Sequence, residues 1–145
     1  MGLDDIFIVD GNKAHSIIWG RVKRTWLNDR STTWSRTADH AVLDHTNQEI
    51  LFFYRSNGAP AGYTFPDKAL VLSLRNNSWT FRDYAAEIPH AIQSHDVVLQ
   101  NTSNFVFYAI DRGGNRILDL ESAPDRLGSP VPAYFTRTGL FGDPG

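Results

Sequence analysis

Residues 68–84 read KALVLSLRNNSWTFRDY, and this stretch decides the fold class because it encodes two strands joined by a tight turn. The first half is a run of leucine and valine typical of a buried strand, and the second half alternates strictly between its two faces. The residues that share one face of the second half are Trp79, Phe81 and Asp83. Asn76 and Asn77 tolerate the positive φ angles of a two-residue turn, so strands are predicted at 68–75 and 78–84.

The chain upstream of this hairpin continues the same pattern of short strands and turns. Residues 41–44 and 49–54 are apolar runs separated by a polar turn, which predicts a second hairpin. Residues 56–66 are rich in glycine, proline and asparagine and predict a long surface loop. Near the N-terminus, residues 5–10 and 14–19 flank Gly-Asn and predict a first hairpin.

One segment departs from the strand pattern and predicts the only helix that we expect, at residues 20–29. Its apolar residues Val22, Trp26 and Leu27 recur at helical spacing and form one stripe. The basic residues outside this stripe are Arg21, Lys23 and Arg24. They are candidates for contact with DNA or an acidic partner, and a solvated helix face is the alternative.

Downstream, the pattern predicts strands at 96–99, 105–110 and 116–120, with a glycine-containing hairpin turn at 111–115 and a last strand at 133–138. Turn signals recur roughly every 8–12 residues along the chain. This regularity favours a mainly β fold of consecutive antiparallel hairpins, either propeller-blade-like, as in a partial β-propeller, or a sandwich. The size fits a single β-rich domain spanning residues 1–145.

Composition excludes several classes of function. The chain has 145 residues, a formal net charge of −2 and no cysteine. A protein that grips a nucleic-acid backbone needs surplus cations, whereas a near-neutral wall suits a passage through which DNA slides. The lack of cysteine excludes disulfides and thiolate metal sites. No apolar stretch approaches the roughly 18 residues that would predict a membrane span.

No motif concentrates reactive groups, so we predict no catalytic, cofactor-binding or metal-binding residues. No Gly-x-Ser-x-Gly motif is present. His40 and His45 are five residues apart, and on one strand they would face opposite sides of a sheet. The acids considered for a hydrolase on a β-scaffold, a third hypothesis, are Asp44, Glu49, Asp83 and Glu87. Solvated charges at strand edges are the more ordinary interpretation.

Aromatic residues are the more informative candidates. The proposed core or subunit-interface residues are Phe52, Tyr54, Trp79, Phe81, Tyr84 and Phe107. They lie on predicted strands with apolar neighbours, where aromatic rings supply large contact areas. The alternative is a carbohydrate-recognising tail or receptor-binding module that uses loop residues such as Tyr63 and Phe65.

Two of these segments together resemble a module of bacteriophage virion proteins. Residues 47–56 read NQEILFFYRS, and residues 67–84 read DKALVLSLRNNSWTFRDY. The module of that family has, in order, a strand with Glu, Ile and aromatic residues, a loop, a strand that ends near an asparagine and a basic residue, and then Trp-Ser/Thr. The two segments resemble this order. The family is the tail tubular protein B or tail-nozzle group of short-tailed phages, with related packaged-DNA stabilisation proteins. Residues 10–29 and 129–139 lie where that family has an entry strand with a short helix and an exit strand.

The resemblance implies a structural role and not an enzyme. Its members are β-propeller-containing subunits that assemble as a ring, usually of six copies, below the portal and adaptor and form the DNA exit channel. The resemblance therefore implies a virion protein of the phage tail or neck, assembled in the host cytoplasm, in a homo-oligomeric ring of six or twelve copies. The implied partners are portal, adaptor or tail proteins, with transient contact to passing DNA. The family's chain is far longer, so this chain is expected to be a split or truncated version of such a protein, or one part of a propeller ring that another protein completes.

Overall fold

Antiparallel hairpins and one helix build the fold. The computed structural model describes residues 4–32, 38–84, 86–95, 105–112, 116–119, 125–126 and 129–130. Its elements are β1 (Phe7–Asp10), β2 (Lys13–Ser16), α1 (Gly20–Asp29), β3 (His40–Asp44), β4 (Glu49–Tyr54), β5 (Lys68–Ser73), β6 (Trp79–Asp83), β7 (Ala91–His95), β8 (Phe105–Asp111), β9 (Arg116–Asp119), β10 (Asp125–Arg126) and β11 (Ser129–Pro130). The predicted mainly β class and the helix at residues 20–29 are confirmed.

A four-stranded antiparallel meander, in the order β3-β4-β5-β6, forms the centre of the molecule. Leu51 pairs with Val71 and Phe53 with Ala69 between β4 and β5. These two central strands are buried on both faces, which explains why their sequences are nearly continuous apolar runs instead of alternating ones.

The turn between β5 and β6 differs from the predicted two-residue turn. The last paired hydrogen bond runs from Ser73 N to Ser78 O, so four residues form the connection. Only Asn77 among them has positive φ, at 55°. The N–H of Leu74 points to the other edge of β5, where it donates to Gln48 O and extends the β4–β5 register by one pair beyond Glu49–Ser73. The two-residue turn is not formed because a type I′ turn needs positive φ at both of its central residues, and Asn76 does not adopt it.

The two faces of this sheet are covered by different layers. One face packs against the helix and the N-terminal segment, through a core of Ile6, Ile18, Trp26, Phe52, Tyr54, Leu70 and Leu72. The other face packs against the β6–β7 connection and the three-stranded sheet that contains β7 and β8, through Leu51, Phe53, Ala69, Val71, Ala86, Ile88, Ala91 and Ala109. The result is a helix layer, a four-stranded sheet and a three-stranded sheet stacked in that order.

The three-stranded sheet has the order β7-β8-β9. Its β8–β9 hairpin, in which Asp111 pairs with Arg116, confirms the predicted hairpin at residues 105–120. On its other side, β8 pairs with β7 (Ala91–His95), a strand that the sequence analysis did not predict. The strands predicted at 96–99 and 133–138 lie outside the described residues.

The helix α1 carries the predicted stripe. Trp26 is fully buried, and the half-buried Val22 and Leu27 pack against the same core. Among the residues that the structure describes, no helix has the length and apolar character needed to cross a membrane.

Candidate interaction surfaces

The aromatic candidates divide into a buried and a half-buried group. Phe52 and Tyr54 are buried in the core between the central sheet and α1, so packing within the chain, and not an interface, accounts for them. Trp79, Phe81 and Tyr84 are half-buried. The Trp79 ring lies 6.0 Å from that of Phe52, and Tyr84 stacks on Phe53. Phe107 lies in β8, and its side chain is outside the described part of the structure.

The basic helix residues are not equivalent. Lys23 Nζ lies 2.7 Å from a carboxylate oxygen of Asp5, so its charge is already paired within the chain. Arg21 and Arg24 are exposed, and their i, i+3 spacing places them on one side of α1. Of the three predicted contacts for DNA or a partner, Arg21 and Arg24 therefore present their charge outward.

The first hairpin forms as predicted, but it lies outside the core. Its strands were predicted, but every one of the eight residues in β1 and β2 is exposed. Phe7, Ile8 and Val9 are 46%, 49% and 71% exposed. Ile6 and Ile18, which flank the hairpin, turn into the core and anchor its base. A two-stranded hairpin without further packing is only marginally stable in water, so this hairpin depends on that anchored base.

A second apolar surface lies on the outer face of the three-stranded sheet. Ile92, Ile110 and Ile117 are 47%, 45% and 75% exposed. Ile110 pairs with Ile117, and Ile92 pairs with Tyr108, two residues from Ile110, so these side chains share one face. The opposite face carries Ala91 and Ala109 toward the core. We call these two surfaces the hairpin patch (Phe7 and Val9, which share one face of β1) and the sheet patch (Ile92, Ile110, Ile117).

The loop at residues 56–66 holds the glycan-binding candidates in a fixed position. The Glu87 carboxylate accepts hydrogen bonds from the backbone N–H groups of Thr64 and Phe65. The guanidinium of Arg112 lies 4.7 Å from the centroid of the Phe65 ring. Tyr63 is half-buried. A sugar could stack on that face of Phe65 only by displacing the cation.

Three of the four acids considered for catalysis serve a local structural purpose. Asp44 is buried, and its carboxylate accepts hydrogen bonds from the N–H groups of Thr46 and Asn47, which fixes the β3–β4 turn. Glu49 pairs with Arg82 across the sheet. Glu87 anchors the loop just described, and Asp83 ends β6 half-buried. Within the described ranges, no three histidine or acidic side chains converge in a way that could hold a metal ion.

His45 lies in the turn after β3, so the predicted reason for its separation from His40, opposite faces of one strand, is wrong. His40 stacks on Phe53 with ring centroids 4.7 Å apart. Sequence reasoning treated His40 as a polar strand-end residue and missed that contact, for which no local pattern gives a signal.

A polar cluster missed by the sequence analysis attaches α1 to the central sheet. Asp29 accepts a hydrogen bond of 2.7 Å from the Tyr54 hydroxyl and lies 3.2 Å from Lys68 Nζ. Burial raises the pKa of Tyr54 well above its ordinary value, and the Asp29 carboxylate raises it further. The hydroxyl therefore remains a proton donor to Asp29, and the cluster serves attachment and not proton transfer.

Comparison with known proteins adds no relative. Neither a known protein family nor a curated protein sequence matches the chain. The interpretation of function therefore depends on the surfaces described above.

A buried carboxylate near the same cluster yields a test of the described hydrogen bonds. Both oxygens of Asp67 accept from Ser56, one from its N–H and one from its hydroxyl, each at 2.7 Å. We expect Asp67→Asn to change the free energy of unfolding by less than about 1 kcal/mol, because an amide can accept from the N–H and donate to the hydroxyl. Asp67→Ala should cost about 1–3 kcal/mol, because it leaves the buried Ser56 N–H without an acceptor.

Urea unfolding followed by circular dichroism distinguishes these two substitutions. Equal losses in both variants would show that the charge of Asp67 matters and not its acceptor oxygens. The pKa of Asp67 is raised by burial, against the opposing hydrogen bonds from Ser56, so neutralising the carboxyl removes a desolvation cost.

Proposed function

We propose that this chain is a structural subunit of a bacteriophage virion, in the tail nozzle or head-to-tail connector, and that it has no catalytic role. The observation that carries the proposal is the pair of apolar surfaces, the hairpin patch and the sheet patch, on the two outer layers of the molecule. Exposed apolar clusters on a protein surface mark interaction sites.

Two different patches on one chain suit heterologous contact between copies. In such a contact, one surface of a copy meets a different surface of the next copy, and the chain of contacts closes into a ring if the rotation permits. We propose that the hairpin patch of one subunit packs on the sheet patch of its neighbour. This pairing would cover the marginal hairpin and give a ring of six or twelve copies.

The central meander supports the phage resemblance. The two segments that carry it, residues 47–56 and 67–84, form β4 and the β5–β6 hairpin of one four-stranded antiparallel sheet. Four-stranded sheets of this kind are the blades of β-propellers. The helix layer occupies one face of that sheet, so any further blade would be added beyond the three-stranded sheet, on the sheet patch. In this proposal, other copies or partner proteins complete the propeller ring.

The distribution of charge suits contact with passing DNA and not firm binding. The chain carries a formal net charge of −2, and Arg21 and Arg24 are exposed on α1. A few cations on a near-neutral wall neutralise few phosphates, so the affinity for DNA would be low. Such a surface would line an exit channel without holding the genome.

The assembly proposal predicts that Phe7→Ser combined with Val9→Ser abolishes oligomers, because both side chains lie on one face of β1 and would lose their apolar contact. The purified full chain should form oligomers of six or twelve copies by light scattering coupled to size exclusion. Lys13→Ser with His15→Ser, which changes the other face of the same hairpin, should leave them intact. A wild-type chain that remains monomeric at every concentration measured would overturn the proposal.

Mixing complementary variants tests which surfaces meet. A hairpin variant (Phe7→Ser, Val9→Ser) retains the sheet patch, and a sheet variant (Ile110→Ser, Ile117→Ser) retains the hairpin patch. Each alone should be monomeric, and the mixture should give a one-to-one dimer, because a single intact contact remains. If the wild type assembles but the mixture does not form that dimer, the proposed contact between the hairpin patch and the sheet patch is wrong. Assembly into oligomers would then have to use other surfaces.

A further inference from the structure

The imidazole of His40 bridges the two main sheets. Its ring stacks on Phe53 of β4 at an interplanar angle of 9°. Its Nε2 atom lies 3.1 Å from the backbone nitrogen of Ala91, the first residue of β7. Its Nδ1 atom lies 2.9 Å from the carbonyl oxygen of Ala38. One side chain of the four-stranded sheet is thus bonded to the backbone where the three-stranded sheet begins.

These two backbone partners fix the protonation state of the ring. An amide N–H only donates, so Nε2 must be the unprotonated acceptor toward Ala91. A carbonyl oxygen only accepts, so Nδ1 must carry the hydrogen that is donated to Ala38. A proton added to Nε2 would face the Ala91 N–H and replace the hydrogen bond by a contact between two donors. The bond between the sheets therefore exists only while His40 is neutral.

The groups around the ring favour this neutral state. The titratable side chains on the packed elements are Asp39 beside it, Tyr84 after β6, and Glu87 and His90 on the connection to β7. The ring of His90 lies next to that of His40, with 5.5 Å between the two ring centroids. Asp39 pairs with Arg30 at 3.4 Å, and Glu87 accepts from the loop backbone. Both acids therefore already have donors of their own.

Burial lowers the pKa of His40 below its ordinary value, and His90 lowers it further, against the opposing hydrogen bond to Ala38. Once the sheets separate, the ring is hydrated and titrates near the ordinary histidine value of about 6.5. The bond is therefore fully present above about pH 6.5, and it weakens as the pH falls from there toward the lowered value of the closed state.

We propose that His40 is a pH-sensitive latch, and that protonation of its imidazole releases the three-stranded sheet from the four-stranded sheet at mildly acidic pH. The core contacts of Ala91 and Ala109 with Phe53 and its neighbours hold the sheets together in parallel with the latch. Protonation thus raises the frequency of opening and does not unfold the chain. This inference is independent of the proposed virion role.

Amide hydrogen exchange in the full chain measures the latch. The reporter is the N–H of Ala91, which donates to His40, and the internal control is the N–H of Ile110, which donates to His90 O within the β7–β8 pairing. After correction for intrinsic exchange, the opening equilibrium at Ala91 should rise up to about tenfold between pH 7.5 and 5.5, and that at Ile110 should not. His40→Gln keeps a donor and an acceptor that do not titrate, so it should lose this dependence. His15→Gln, an exposed histidine on β2, should retain it.

Direct observation of the ring decides the matter if His40→Gln fails to fold. Nitrogen-15 shifts of the wild-type imidazole should show hydrogen on Nδ1 and not on Nε2 at neutral pH. His90→Gln should move the midpoint of the opening transition to higher pH, because it removes the nearby repelling charge. Hydrogen on Nε2, protection that is independent of pH, or an unmoved midpoint in His90→Gln would each overturn the latch.

Discussion

Trp26→Ala is expected to lower the free energy of unfolding by about 3–5 kcal/mol, the usual loss for a fully buried aromatic side chain. Trp26 is 0% exposed and is the one buried residue of α1. Its ring meets Tyr54 edge-on at 6.4 Å and lies under the Arg30 guanidinium at 4.6 Å. The substitution would open a cavity between the helix layer and the central sheet.

The matched control is Trp19→Ala, the same change seven positions away. Trp19 is 73% exposed and makes no side-chain cap bond to the helix. Its removal should change stability by no more than about 0.5 kcal/mol. Urea unfolding followed by circular dichroism avoids the loss of a fluorophore in both variants. Similar losses in the two variants would mean that α1 is not anchored through Trp26.

Arg30→Met is expected to cost a similar amount, about 3–5 kcal/mol, because it leaves a buried carboxylate without its cation. The side chains of Arg30 and Asp39 are only 5% and 6% exposed, and their charged groups lie 3.4 Å apart. Methionine preserves most of the apolar stem that packs beside Trp26. The loss in the free energy of unfolding therefore measures the removal of the positive charge and not the removal of side-chain volume.

Two further variants separate the charge from other effects of the substitution. Arg30→Met combined with Asp39→Leu removes both charges and should recover most of the loss, since apolar pairs often replace buried ion pairs at no cost. Lys23→Met breaks the more exposed pair with Asp5, whose partners are 31% and 17% exposed, and should cost about 0–1 kcal/mol. A double variant as unstable as Arg30→Met would show that the unpaired charge is not the cause.

The local pattern of the sequence predicted the hairpins and the helix, because strand alternation, helical spacing and turn residues act within a few positions. The β5–β6 hairpin shows both the strength and the limit of this reasoning. Its strands were predicted from residues 68–84, but its turn has four residues, because Asn77 adopts positive φ and Asn76 does not. The strand at Ala91–His95 was missed, since its mixture of small and polar residues carries no apolar run.

The candidate surfaces were predictable only in part. The basic residues of α1 were identified, yet the pairing of Lys23 with Asp5 joins the helix to the segment before β1. Nothing in residues 7–9 distinguishes an exposed arm from a core strand, because both are short apolar runs. Their exposure follows from Ile6 and Ile18, which occupy the core and leave the hairpin outside it.

The sequence by itself determined a mainly β chain of antiparallel hairpins with one helix, because those features depend on side-chain periodicity and local turn chemistry. Only the tertiary structure decided which apolar residues face water, which charges are paired, and that His40 meets Ala91, 51 residues away. The physical reason is that burial and long-range hydrogen bonds depend on how the layers stack, and stacking is a property of the whole chain.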